Sequence, residues 1–368
     1  MKIFLARLLL AGIVGLASVV VAELTFRTLL FSGAPYMQRF REPGLYAYIE
    51  SDDYWKLYFL FGGKYKPPAN PHPLLGWVGN FDRVSYRHSD TPFLDRRRPV
   101  LLYGDSFAAC AVAENDCFQG ILNQDPSFSE KHFLLNYGVG GYGVDQIFLL
   151  YENSIGGYQD PFVVLSLLTE DVDRGVLSVR TGQKPYYRVI DHRLVLSGIP
   201  IESRPEHFFR RHPPDIRSYL FRLFVYSDGR PSKLKRSLRT QPSEVRSRIE
   251  AINEHILRDL VKDLRTRNVD HVFFIFHPLW TLANQGDWRD AFLRRLFESM
   301  KVPYLSSHTI LRQHAARHGT RLEDYYLEDN GHPNAYQNRI LANELKAYVM
   351  SRSSGPRRSA TASAISIQ

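Results

Sequence analysis

The sequence predicts an α/β fold: a doubly wound, flavodoxin-like parallel sheet preceded by an N-terminal membrane helix. Three observations carry this expectation. Five short apolar runs alternate with segments whose apolar residues recur at helical spacing, the pattern of strands buried between two helical layers. The first of these runs stops at Gly104-Asp105-Ser106, where a strand would hand over to a turn. The opening stretch, residues 1–31, is almost wholly apolar, with Lys2 and Arg7 near its start.

That stretch reads "MKIFLARLLLAGIVGLASVVVAELTFRTLLF". Leu8 to Ala22 alone falls short of the roughly 20 residues a spanning helix needs. Counted from Ile3, with Arg7 snorkelling, the length suffices. Two readings stay open: a signal peptide cut after Ala22, and an uncleaved signal anchor. The apolar pattern resumes directly after Glu23 and Arg27, which favours the anchor. Either way the positive residues stay inside and the rest of the chain is exported, on the periplasmic side of a cell membrane.

Residues 32–98 form an aromatic-rich lead-in, with "YAYIESDDYWKLYFLFGG" and the Pro-rich "KPPANPHPLLGW", expected to pack on the main domain. The main domain spans 99–350. Its strands are expected at "VLLYG" (100–104), "HFLLNYG" (132–138), "FVVLSLL" (162–168), "HVFFIFHP" (271–278) and "VPYLS" (302–306). Helices are expected over "VDQIFLLYENS", Ser243 to Arg267, Trp288 to Met300 and Pro333 to Met350. An insertion at 175–242 contains a predicted hairpin across Asp191-His192 and a short helix around "IRSYLFRLF". It is either a lid or substrate wall, or a solvated basic flap. The tail 351–368, rich in Ser, Ala and Arg and without periodicity, reads as disordered.

Composition narrows the function classes. Hydrophobic residues at 44% and charged residues at 23% describe an ordinary folded protein. The net charge of +9 admits an anionic partner, but it is spread along the chain. There is no zinc-finger spacing and no RNA-binding aromatic signature, so nucleic acid is not an expected partner. The two cysteines, Cys110 and Cys117, have no metal-ligand spacing around them. They are either a disulfide or two free thiols. Residues seven apart on a continuous helix lie about 10 Å apart, so a disulfide requires the helix to end between them, which "AENDC" permits.

Chemistry enters at the strand ends. Ligands of such sheets bind beyond the carboxyl ends of the strands, which is where Ser106 falls. A serine is a weak nucleophile and needs a base, itself oriented by a third group. "DNGHP" supplies His332, with Asp329 three residues before it and Pro333 expected to open the last helix. A lone D-x-x-H also describes a surface histidine beside a capping aspartate. The order along the chain favours the catalytic reading: GDS early, a Gly-rich turn after the second strand, an acidic turn after the third, and D-x-x-H near the end.

In this order "GDSF", "NYGVGGYGVDQ" and "DNGHP" resemble the blocks of the SGNH (GDSL-type) hydrolase superfamily over about residues 70–350. The anchor followed by "AELTFR" and the "HPLLGW" lead-in resemble bacterial membrane-anchored members. The resemblance implies an SGNH-type fold with Ser106 as nucleophile, His332 as general base and then acid, and Asp329 fixing the histidine tautomer. It also implies an oxyanion hole from the backbone N–H groups of Ser106 and Gly141. The third block departs from the family pattern, with Glu170 where an asparagine amide normally donates. An ionised carboxylate cannot donate, and losing one donor costs about 3 kcal/mol of transition-state stabilisation. Glu170 is either protonated and donating, turned away, or part of different chemistry.

No metal or cofactor is expected. The cluster Glu170, Asp171 and Asp173 lacks a calcium-loop spacing. The expected function is ester hydrolysis or acyl transfer on acyl esters, with acylated glycans or lipids of the envelope as candidate substrates. The alternative is a catalytically silent relative that binds an anionic polymer or an assembly partner.

Overall fold

The computed structural model describes residues 2–62, 68–191, 193–226, 242–283 and 286–353. The chain divides into two compact units, residues 1–77 with 173–252, and residues 78–172 with 253–368.

The second unit holds the sheet. Its five strands are Arg98–Gly104, His132–Gly138, Phe162–Leu168, Asp270–Phe276 and Tyr304–Ser306. All neighbours are parallel, in the spatial order second, first, third, fourth, fifth. This is the doubly wound, flavodoxin-like order, which reverses direction beside the first strand, the position at whose carboxyl end such sheets generally bind ligands. The three central strands are apolar at nearly every position because both faces of the sheet are covered. Phe162–Leu168 is buried throughout.

Alternate residues then serve opposite layers. Val100, Leu102, Val164, Phe274 and Phe276 share one core with Leu311, Leu341 and Leu345 of the helices Ser307–His318 and Ala335–Ser353. On the other face Tyr103 stacks on Tyr137 at 5.0 Å and meets Tyr151 of the helix Val144–Ser154 edge-on. Phe273 stacks there on Phe297 of the helix Trp288–Met300 at 4.3 Å. Each such ring or branched chain removed from water contributes about 1.5–3 kcal/mol.

Two expectations need adjusting here. The last helix begins at Ala335, not Pro333. Pro333 instead forms an isolated bridge with Tyr326, and the Asn334 side chain accepts the Gln337 N–H as a cap would. That helix also runs on to Ser353, past the expected start of the tail; residues 354–368 lie outside the described residues.

The first unit begins with the helix Lys2–Phe31, long and apolar enough to cross a membrane by length and composition. Its residues from Ile3 to Ala22 are exposed. Beyond Glu23 its side chains enter a cluster of Leu30, Met37, Tyr46, Leu57, Ile216 and Tyr219. A second cluster joins Trp55 to Leu177, Val179, Phe208 and Phe209. The lead-in up to Trp77 and most of the insertion therefore share cores. The Asp52 carboxylate adds to this by accepting from the Ser178 N–H and hydroxyl, each at 2.7 Å. The hairpin Tyr186–Ile190 with Arg193–Ser197 and the helix Tyr219–Tyr226 form within the insertion. His192, at the predicted turn, lies outside the described residues.

Candidate active site

Strand one ends at Gly104 because nothing larger fits. A Cβ there would stand 2.7 Å from the Ala108 Cβ and 2.9 Å from the Ser166 side chain. Asp105, fully buried, caps a single helical turn, Ser106–Ala109, by accepting the Phe107 N–H at 2.9 Å. Ser106 is half-buried at the start of this turn, and its hydroxyl donates to Asp105 Oδ2 at 3.3 Å. The turn ends at Cys110, whose φ of 78° leaves the helical region. That early end satisfies the geometric condition for a disulfide, and Cys110 is bonded to Cys117 with their Cα atoms 5.7 Å apart.

The second strand supplies the seat for this turn. Asn136 donates to the Ala108 carbonyl at 2.8 Å and accepts the Gly138 N–H at 2.9 Å. Gly138 is obligatory, since a Cβ there would meet the Ala109 nitrogen at 2.3 Å. The chain then turns through Gly140 and Gly141. A Cβ on Gly140 would come 3.8 Å from the Ser106 Cβ, so this turn borders the serine, and Gly141 adopts φ 81°.

After the third strand, Glu170 is half-buried and its Oε1 accepts the Trp280 indole N–H at 3.1 Å. Asp171, fully buried, folds back to accept the Leu168 N–H. Among the described residues no group of three His, Cys, Asp or Glu side chains is placed to hold a metal ion.

His332 sits on a closed loop. The Leu327 N–H donates to the His332 carbonyl at 2.8 Å, and Gly331 takes φ 68° to make the bend. Tyr326 secures the loop's start by donating its hydroxyl to the His277 carbonyl at 2.7 Å, at the tip of the fourth strand. The imidazole lies 5.5 Å, centre to centre, from the Phe107 ring, so the loop packs on the residue that follows Ser106. Asn338 adds a second tie, donating to Cys110 Sγ and to the Asp116 carbonyl.

The partner of the His332 ring was not legible in advance. Nδ1 lies 3.0 Å from Asn330 Oδ1, and the same oxygen accepts the His332 backbone N–H. An amide oxygen only accepts, so in the neutral ring Nδ1 carries the proton and Nε2 the lone pair. Asp329 is exposed and its carboxylate makes no hydrogen bond or ion pair among the described residues. The structure thus brings His332 to the Ser106 turn and places Asn330, not Asp329, on its ring nitrogen. Asn136, Trp280 and Asn330 were the contacts that sequence reasoning missed. Asn136 opens the quoted "NYGVGGYGVDQ" block, which was a signal for it; Trp280 and Asn330 fall on no periodic or spaced pattern.

A second Ser–His–Asp set occurs nearby. His277 Nδ1 lies 3.0 Å from Ser307 Oγ and its Nε2 lies 2.9 Å from Asp290 Oδ1. Burial raises the Asp290 carboxyl, but the hydrogen bonds from His277 and Arg294 outweigh it and hold the group below its usual range. Ser307 is 0% exposed, so this set fastens the ends of the fourth and fifth strands and offers no nucleophile.

No protein-family model matches the chain, and no curated protein matches it in sequence. Among solved structures it is similar to an acetyl xylan esterase, at 13% identity over 68% of this chain and 99% of that one, with a TM-score of 0.40. It is similar to a psychrotrophic esterase from Pseudoalteromonas sp., at 12% identity over 70% and 100%, with a TM-score of 0.38. A member of the lipolytic G-D-S-L family from Veillonella parvula gives 14% identity over 69% and 99%, with a TM-score of 0.36. At these values the likeness assigns no role to any residue of this chain.

Proposed function

We propose that the chain is a membrane-anchored, extracytoplasmic serine hydrolase or acyltransferase of the SGNH type, acting on acyl esters. One observation carries most of the weight: a histidine with its Nε2 lone pair available packs against Phe107, directly after Ser106. In this reading Nε2 takes the Ser106 hydroxyl proton as Oγ attacks the ester carbonyl. The proton then passes to the leaving alcohol, and the acyl group stays on Ser106. Water or an acceptor hydroxyl repeats the sequence in reverse and frees the serine.

The backbone N–H groups of Ser106 and Gly141 are the proposed oxyanion donors. Gly141 lies on the turn bordering Ser106 and carries no Cβ to hold a substrate off. Glu170 answers to the indole of Trp280 in this reading, so the hole works with two donors in place of three. In the resting arrangement Asn330 fixes the His332 tautomer. Asp329, on the same turn, is the carboxylate available to compensate the imidazolium when it forms.

The N-terminal helix and the Cys110–Cys117 disulfide, a bond favoured in oxidising compartments, support this address. Asp329, exposed and without a hydrogen bond or ion pair among the described residues, favours a second reading, a catalytically silent member of this fold. Soluble short-chain esters separate the two. The full chain in detergent is expected to release alcohol from them and Ser106→Ala is not; equal rates would overturn the enzymatic reading.

A further inference from the structure

We infer that the short helix Tyr219–Tyr226 is a second membrane contact, laying Phe221 and Phe224 into the bilayer surface beside the N-terminal helix. This rests on the reading of that helix as a membrane anchor. Along it, Ile3 to Ala22 are exposed and, apart from a snorkelling Arg7 and Ser18, apolar, a length of about 20 residues that matches a hydrocarbon core of about 30 Å. Glu23, the next residue, therefore stands at the bilayer boundary.

Glu23 is also where the short helix is fastened. Its carboxylate accepts the Tyr219 N–H at 2.8 Å, the Leu220 N–H at 3.0 Å and the Ser218 hydroxyl at 2.8 Å. Arg27, one turn along, donates to the carbonyls of Ile216 and Arg217 and lies over the Tyr219 ring. These bonds set the start of the short helix at the depth of Glu23. Phe221 is the residue after Leu220, so its Cα lies about 4 Å from that of a residue bonded to the boundary carboxylate.

The helix divides its side chains accordingly. Tyr219, Val225 and Tyr226 are buried and Leu223 packs on the cluster around Leu30. Phe221 is 48% exposed and Phe224 52% exposed, three residues apart and so on one side. Two half-exposed rings on one side of the helix suit an interface, since apolar rings enter the boundary between headgroups and acyl chains, and Arg217, exposed at the helix start, suits the phosphates there.

The test uses the full chain in nanodiscs of phosphatidylcholine and phosphatidylglycerol. A fluorescent thiol label is placed on Phe221→Cys and, separately, on Phe224→Cys; the native cysteines are bonded to each other and do not react. Reference labels are placed at Leu16→Cys and at Val84→Cys, which is 86% exposed. The two helix labels are expected to be quenched by nitroxide lipids and to be at least about threefold less sensitive to aqueous iodide than the Val84 label. If the Leu16 label is lipid-quenched while both helix labels match Val84, the second contact is overturned and the anchor stands. If the Leu16 label itself is open to iodide, the anchor fails and this inference with it.

Discussion

At the scale of single residues, the proposed role of His332 turns on which side-chain oxygen meets Nδ1. Asn330 fixes a tautomer but has no charge to offer, whereas Asp329 is a carboxylate that makes no hydrogen bond or ion pair among the described residues. Mutations separate the roles. Asp329→Asn is expected to lower kcat by about 100-fold or more with little change in KM, because an imidazolium without a carboxylate is costly. Asn330→Ala is expected to cost about tenfold through loss of the tautomer restraint. An unchanged kcat in Asp329→Asn would show that the neutral amide alone sustains the base. The Gly104-Asp105-Ser106 turn and the glycine turn fall where the sequence places them, because each closes an apolar run that marks a buried strand. The Asn330 contact was not legible, since its choice over Asp329 depends on how one exposed bend closes around Gly331.

At the scale of elements, the strands were legible because parallel strands covered on both faces are continuous apolar runs. His132–Gly138, Phe162–Leu168 and the helices Val144–Ser154 and Trp288–Met300 fall at the expected bounds. The start of the last helix did not, because Pro333 is drawn into a bridge with Tyr326, a pairing of residues on two sides of a loop. The cysteine pair was undecidable for a related reason: it turned on the single residue, Cys110, where a helical turn stops. The bond closes a small loop that Asn338 ties to the closing helix. Cys117→Ser is expected to lower stability by about 2–3 kcal/mol. Thermal unfolding with and without reductant checks this, and a Tm unaffected by both changes would count against a role for the bond in holding the Ser106 turn.

At the scale of the whole molecule, the chain couples a doubly wound unit carrying the candidate site with a unit built on an apolar N-terminal helix. Sequence reasoning separated the lead-in from the insertion because they are far apart in the chain. It could not foresee that Trp55 packs with Leu177, Val179 and Phe208 in one core. If the helix is an uncleaved anchor, the protein is expected to stay in the membrane pellet after an alkaline carbonate wash and to retain its native N-terminus by mass spectrometry. A soluble product beginning at Glu23 would identify a signal peptide.

The most direct measurement for the account as a whole is labelling of the folded full chain by a fluorophosphonate, with the modified residue mapped by mass spectrometry. The account predicts one adduct on Ser106 that disappears in Ser106→Ala and slows strongly in His332→Ala. An unlabelled protein, or labelling that persists in Ser106→Ala, would contradict it.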